Sequence, residues 1–290
     1  MLPALDVPLL RARPAPEARI PMSQPPPLRG MIDAHFHPSE MARRELPVRD
    51  LLDECFRTGL SYAVDIGTDA GDLAQRKALV EDYDRVLFTV GIDPETAEHE
   101  PDPDVLSDLE SELQDPRVVA VGEAGLDWYW DYGTRDRQLE LFRAQAEIAD
   151  RAELPLVVHN RDADEETLAL LQQIRPSGGV ILHCFSSSYE TACRALDLGC
   201  FISFAGNVTF KNARDLQDVA RRIPGEAILV ETDAPYLAPH PLRGRPNQPG
   251  LIAYTYARIA ELRSIPVEEL VATVHDNFLR AFRLDATRPE

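Results

Sequence analysis

Val118-Val-Ala-Val-Gly-Glu123, then an amphipathic run over residues 135–151, then Leu156-Val-Val-His159 read as strand, helix, strand, with a polar residue closing each strand. The two apolar runs are short and rich in valine, while the stretch between them repeats its apolar residues at intervals of three and four. Outward from this unit the same alternation continues in both directions. Further strands are expected at residues 31–36, 62–66, 86–92, 180–184, 201–204 and 228–231, which brings the total to eight. Helical stretches include 48–58, 69–83 and 167–174, and three more, 251–263, 267–275 and 276–282, close the chain. Gly59, Gly199 and the pair Gly178 and Gly179 fall between helices and the next strands, where a left-handed cap belongs. Eight strand-helix units in roughly 250 residues are the arithmetic of an α/β chain folded as a (β/α)8 TIM barrel. A doubly wound open sheet is the alternative, but no GxGxxG follows the first strand.

Composition bounds the function. The 290 residues carry 49 acidic and 30 basic side chains, a formal net charge of −19. A field of that sign raises the energy of approach for polyphosphates, so a nucleic-acid substrate needs local positive charge at the site. No run of 18 or more apolar residues occurs, which excludes a membrane-spanning helix. The cysteines, Cys55, Cys184, Cys193 and Cys200, form no CxxC pair and are too few for a disulfide framework, so a reducing, cytoplasmic setting is expected. Residues 1–30 hold eight prolines and show no periodicity of 2 or 3.6; they are expected to be a disordered extension ahead of a barrel domain at 31–290. An over-extended start or a flexible tail accounts for this segment better than a targeting peptide, whose helix the prolines would break. A monomer is assumed.

In a barrel of this kind, the C-terminal ends of the strands form the mouth where chemistry takes place. The first strand ends in His35 and His37, whose spacing of two puts both imidazoles on one side. Glu123 ends the fourth strand, His159 the fifth and His183 the sixth, and the eighth runs into Asp233. Four histidines and two carboxylates thus converge from distant parts of the chain, the signature of a metal site. Mixed imidazole and carboxylate donors suit two divalent cations, Zn or Mn, with Mg possible at the carboxylate-rich part. The only lysines are Lys77, in a helical pattern, and Lys211, after the seventh strand. Neither can supply a bridging carbamate, which leaves Glu123 to bridge with its two oxygens. Asp233 can serve as ligand, as catalytic base, or as both.

Several spaced blocks occur in one order: IDAHFH at 32–37, VGEAGLDWYW at 121–130, PLVVHNRDA at 155–163, ILHCFSSS at 181–188, ISFAGNVTFKNA at 202–213, ETDAPYLAP at 231–239, RGRPNQPG at 243–250 and DNFLRAF at 276–282. With these blocks the chain from Met31 to about Phe282 resembles the TatD family of metal-dependent hydrolases and deoxyribonucleases. The resemblance implies a metal-dependent barrel that hydrolyses phosphodiesters, typically trimming DNA from its 3′ end. It further implies His35 and His37 as ligands of one metal, Glu123 as the bridge, His159 and His183 as ligands of the other, and Asp233 as ligand and base. Phe36 replaces the family's usual cysteine between the first two histidines, and Asn160 and Gln248 also depart from its pattern. These departures bear on substrate preference and remove no ligand.

Substrate contacts are expected from Arg161, whose guanidinium fork suits a phosphate or alternatively pairs with Asp162 or Asp164. Trp128, Tyr129 and Trp130 could stack on bases or simply pack in a loop, and Asn207 and Tyr236 also lie near the mouth. His240 reads as a loop residue, His99 and His275 as structural or solvated, and Cys184 as a buried strand residue. The substrate expected is DNA or a short oligonucleotide, cleaved as by a 3′–5′ deoxyribonuclease. The alternative is a carboxylic ester or amide, cleaved as by a D-aminoacyl-tRNA deacylase or a lactonase, for which the same centre would serve.

Overall fold

The computed structural model describes residue 27 and residues 29–98 and 105–284. The expected disordered extension therefore lies almost entirely outside the described residues, as does His99. Eight strands, β1 (Ile32–Phe36), β2 (Tyr62–Asp65), β3 (Val86–Val90), β4 (Val118–Asp127), β5 (Leu156–Arg161), β6 (Val180–Leu182), β7 (Phe201–Phe204) and β8 (Ile228–Val230), form one sheet in sequence order. Every neighbouring pair is parallel. Just past β8 the sheet meets β1, where Phe36 bridges Ala234, the His37 amide donates to Ala234 O at 2.8 Å and the Asp233 amide donates to His35 O at 2.9 Å. Asp33 clasps the same seam, accepting from the Thr232 amide at 2.8 Å and its hydroxyl at 2.6 Å. The architecture is the expected (β/α)8 barrel, and the seam places His35, His37 and Asp233 side by side.

Alternation along the strands divides the apolar residues into two bodies. Ile32, Val64, Leu87, Val157, Ile181 and Leu229 fill the barrel's interior, which Phe278 and Phe282 close from below. Phe88, Val90, Val158, Leu182, Ile202 and Val230 belong to the larger core beneath the helices. Those helices are α1 (Pro38–Arg43), α2 (Val48–Thr58), α3 (Leu73–Leu79), α4 (Val105–Glu112), α5 (Arg135–Ala152), α6 (Asp164–Ile174), α7 (Tyr189–Asp197), α8 (Arg214–Arg222), α9 (Ile252–Arg263) and α10 (Val267–Ala281). Local chemistry fixes several of their ends. Thr134 caps α5 by accepting from the Arg137 amide, Ser188 caps α7 by accepting from the Thr191 amide, and Gly59 ends α2 at φ 109°. Several boundaries differ from expectation: α3 covers only Leu73–Leu79 of the expected 69–83, β5 runs on to Arg161, and β6 stops at Leu182, which leaves His183 and Cys184 beyond the strand. Helix α10 runs unbroken through 275–276, where neither glycine nor proline interrupts it, and β4 extends four residues beyond Glu123 because Ala124 to Asp127 keep pairing with β5.

Two irregularities matter more than the regular parts. The β1–β2 register shifts between Asp33 and Phe36, and the β4–β5 register shifts between Val121 and Ala124. A bulge re-aims the side chains it contains, and these two contain His35 and Glu123. Gly125 follows at φ 153°, where a Cβ would lie 1.9 Å from His159 O, so only glycine lets β4 pass this close to the residue that carries His159.

On the outer side, Arg76 of α3 is buried and ties the helix to two strand ends. Its guanidinium donates to Asp65 Oδ1 at 2.9 Å, Thr89 O at 2.7 Å and Asp72 Oδ1 at 2.6 Å. Burial raises the Asp65 carboxyl to about 6 even though Arg76 pulls it down. Removing one member of such a pair costs about 3–5 kcal/mol, because a buried charge is left alone. Arg76→Met is therefore expected to lose about that much stability in urea denaturation, with part recovered by adding Asp65→Asn. Without Arg76 the folded-state pKa of Asp65 climbs further above its unfolded value. Stability of the variant then falls as pH rises through that pKa, so its deficit is larger at about pH 8 than at about pH 5. A deficit that does not change with pH would contradict this.

Candidate metal centre

The mouth of the barrel brings together all six residues expected there. His35 is fully buried at the end of β1, its ring stacked on that of His183 with centroids 3.9 Å apart. His37 follows at the turn into α1, where Pro38 starts the helix. Glu123 stands between two pairs of imidazoles. Its Oε2 lies 3.4 Å from His35 Nε2 and 3.9 Å from His37 Nε2, while its Oε1 lies 2.8 Å from both His159 Nδ1 and His183 Nε2. Asp233 completes the first group, with Oδ1 3.4 Å from His37 Nε2 and 3.8 Å from His35 Nε2.

These separations fit cation binding. A cation about 2.1 Å from two tetrahedrally disposed donors holds them about 3.4 Å apart. Between His35 and His37 the Nε2 atoms are 3.0 Å apart, and between His159 Nδ1 and His183 Nε2 the distance is 3.3 Å. The groups His35, His37 and Glu123, and Glu123, His159 and His183, could each hold a metal ion, with the carboxylate common to both.

Charge tells the same story. Burial, the largest influence on Glu123, favours its neutral form, yet the charge of His183 and hydrogen bonds from His159, His183 and His35 hold it well below the usual carboxylate range. Burial likewise works against charge on His183 and His159. Glu123, assisted by Glu231, raises His183 well above the ordinary imidazole value, and hydrogen bonds to Asp127 and Glu123 raise His159 to about 9. His35 moves the other way, lowered by burial and by the neighbouring charge of His183. The carboxylates thus draw positive charge to the centre, which protons supply when a cation does not.

Two carboxylates behind the histidines received no role from sequence. Asp127 Oδ2 lies 3.0 Å from His159 Nε2, and Glu231 Oε1 lies 3.4 Å from His183 Nδ1. Glu231 also accepts from the Cys184 amide at 2.7 Å and from the Ser203 hydroxyl at 2.5 Å. Asp127 thus orients His159 from its outward nitrogen, whereas Glu231 faces that of His183 without a hydrogen bond. The signal was their place inside the conspicuous runs GEAGLD and ETDAP, ending one strand and following another.

The remaining candidates separate. Arg161 is exposed and lies over the Tyr129 ring at 4.0 Å, and neither Asp162 nor Asp164 pairs with it among the described residues. Tyr129 and Trp130 are exposed and meet edge to face. Trp128 is different: it is half-buried against the core, with Arg135 4.6 Å over its ring. Tyr236 is exposed beside His37, ring centroids 6.1 Å apart. Asn207 places Nδ2 4.0 Å from Cys184 Sγ, and its Oδ1 is buried without a partner. His240 is exposed on its loop, and His275 lies against Tyr62 near the other end of the barrel. Burial raises the Cys184 thiol well above its ordinary value, which removes it as a nucleophile. Lys77 pairs with Asp115 on the outer face, and Lys211 is exposed.

A parallel eight-stranded barrel with this donor set at its mouth belongs to the metal-dependent hydrolases. The family model of TatD-related DNases matches residues 32–283, and the chain belongs to the TatD family. It is 39% identical over 262 residues to an uncharacterized metal-dependent hydrolase of Escherichia coli strain K12, YcfH, covering 89% of this chain and 97% of that one. To YabD of Bacillus subtilis, likewise an uncharacterized metal-dependent hydrolase, it is 33% identical over 256 residues, covering 88% and 100%. Among solved structures, the E. coli K12 TatD homologue YjjV superposes with a TM-score of 0.80 at 28% identity, covering 89% of this chain and all of that one. An organophosphorus hydrolase variant shares the fold at TM-score 0.62 and 14% identity, covering 87% and 92%.

Because metal and protons compete for the same nitrogens, apparent affinity for Zn or Mn is expected to rise with pH. Below about 9 the His159 proton must leave before a cation binds, so chelator-competition titrations should show a gain of about tenfold or more per unit between about pH 6 and 8. An affinity flat across that range would contradict the proton load described above.

Proposed function

We propose that the chain is a divalent-metal-dependent phosphodiesterase that removes nucleotides from the 3′ end of DNA. The observation that carries this reading is the division of Glu123, one oxygen toward His35 and His37 and the other toward His159 and His183. Glu123 would be shared between a cation held by His35 and His37, with Asp233 as a further ligand, and one held by His159 and His183. Cations bound there supply an activated water and neutralise the attacking and leaving oxygens of an in-line displacement. The chain's own residues do the rest. Asp127 holds His159 in orientation, Glu231 lies behind His183, and Asp233, at the rim with 9% of its surface exposed, takes the proton of the attacking water through a carboxylate oxygen. Arg161 contributes positive charge at the mouth of an otherwise acidic protein and suits a phosphate. The free thiols favour a cytoplasmic setting. Among the described residues no helix is long and apolar enough to cross a membrane.

The net charge of −19 favours a second reading, hydrolysis of a carboxylic ester or amide at the same centre. The two separate in one assay. Metal-reconstituted protein should shorten a 5′-labelled single-stranded DNA stepwise, chelation should stop it, and Asp233→Asn should lower the rate about a hundredfold or more. No cleavage with metal demonstrably bound would transfer the assignment to ester or amide substrates.

A further inference from the structure

Among the described residues three large hydrophobic side chains remain exposed, Tyr129, Trp130 and Tyr236, and all three stand at the barrel mouth. Large aromatic surface left in water marks a binding site more often than an accident of packing. Each aromatic group is joined by an arginine. Arg161 lies 4.0 Å over the Tyr129 ring and 6.0 Å from that of Trp130, and Arg44 lies 4.5 Å over the Tyr236 ring. Many surface arginines of this acidic chain are neutralised by carboxylates, as Arg49 is by Asp82 and Arg194 by Glu165. Arg44 and Arg161 form no ion pair among the described residues, and each guanidinium lies against a ring at the mouth.

The two platforms are built onto different ligands, one from each pair of imidazoles that Glu123 joins. On one side, Asp127 uses Oδ2 to hold His159 and Oδ1 to accept the amides of Tyr129 and Trp130, both at 2.9 Å, so one carboxylate sets both the metal-facing imidazole and the aromatic turn. On the other side, the Tyr236 amide donates to Asp233 O at 2.7 Å, and the ring stands beside His37. Each half of the centre therefore carries a surface of the same composition, a ring face with a guanidinium against it. Such a surface stacks a base and attracts the adjoining phosphate.

We infer that the two platforms are nucleoside subsites, one for the base on each side of the scissile phosphodiester. The inference rests on the nuclease reading given above and refines its substrate. The productive ligand is a single strand whose terminal and penultimate bases are both unpaired and splayed apart, one onto Tyr129 and Trp130, the other onto Tyr236. A duplex end has to fray by two base pairs to enter, and a mononucleotide ester fills only one subsite.

The test uses the metal-loaded full chain and single-stranded DNA in which either the terminal or the penultimate 3′ nucleotide is abasic. Each abasic strand should lose roughly tenfold or more in kcat/KM, chiefly through KM, the scale of one base-aromatic stack. Trp130→Ala should erase the penalty at one of the two positions and Tyr236→Ala at the other, while metal content and melting temperature remain those of the parent. Abasic strands cleaved as fast as intact ones by the parent protein, or penalties that persist unchanged in both variants, would overturn the subsites and leave the nuclease reading standing. If the metal-loaded parent cleaves none of the strands, the nuclease reading fails and the subsites fall with it.

Discussion

Everything at the barrel mouth is arranged around one buried carboxylate. Glu123 keeps its charge in surroundings where burial alone would neutralise it, because four imidazole nitrogens point at its two oxygens. The reverse also holds, since four histidines this close would expel one another's protons without an anion between them. Neither half is stable alone, which makes the centre a unit that exchanges protons for cations and does not simply lose charge.

That unit imposes geometric demands that a regular sheet would not meet. In an undisturbed β1 the alternation of side chains would point His35 away from its neighbour across the barrel, and in an undisturbed β4 the same holds for Glu123. The register shifts at these two places turn both inward, and Gly125 allows β4 to lie so close to β5 that no side chain fits between. The seam between β1 and β8 adds the last ligand. It depends on Asp33, whose carboxyl group, pushed up to about 8 by burial, holds Thr232 one residue before Asp233. Barrel closure and assembly of the metal-binding half at His35 and His37 are thus the same event.

The sequence made the barrel legible because parallel strands buried on both faces read as short apolar runs, and eight of them alternated with helical patterns. The convergence of His35, His37, Glu123, His159, His183 and Asp233 was legible for a related reason: strand ends in a barrel meet, so residues far apart in the chain could be assigned to one place. What could not be read was anything set by contacts across that place. Asp127 and Glu231 look like ordinary carboxylates until the outward nitrogens of His159 and His183 are seen facing them. Trp128, Tyr129 and Trp130 are alike in sequence, yet the first packs against the core and the other two face water, a difference decided by the turn that Asp127 holds. The continuity of α10 through 275–276 was not legible as such, although neither glycine nor proline interrupts the backbone there.

The strongly acidic chain and the polyanionic substrate of the proposed reading are reconciled by where the charge lies. Long-range repulsion at −19 disfavours loose, non-specific association along a duplex, since that mode depends on the summed field of the protein. It would be much less effective against a short single strand at the mouth, where Arg44 and Arg161 lie against aromatic rings and where cations held by the six ligands would make the local potential positive. Field and site then select together. On the proposed reading, the surface disfavours long duplex and the mouth favours a strand with a free end, the selectivity an enzyme that trims ends would require.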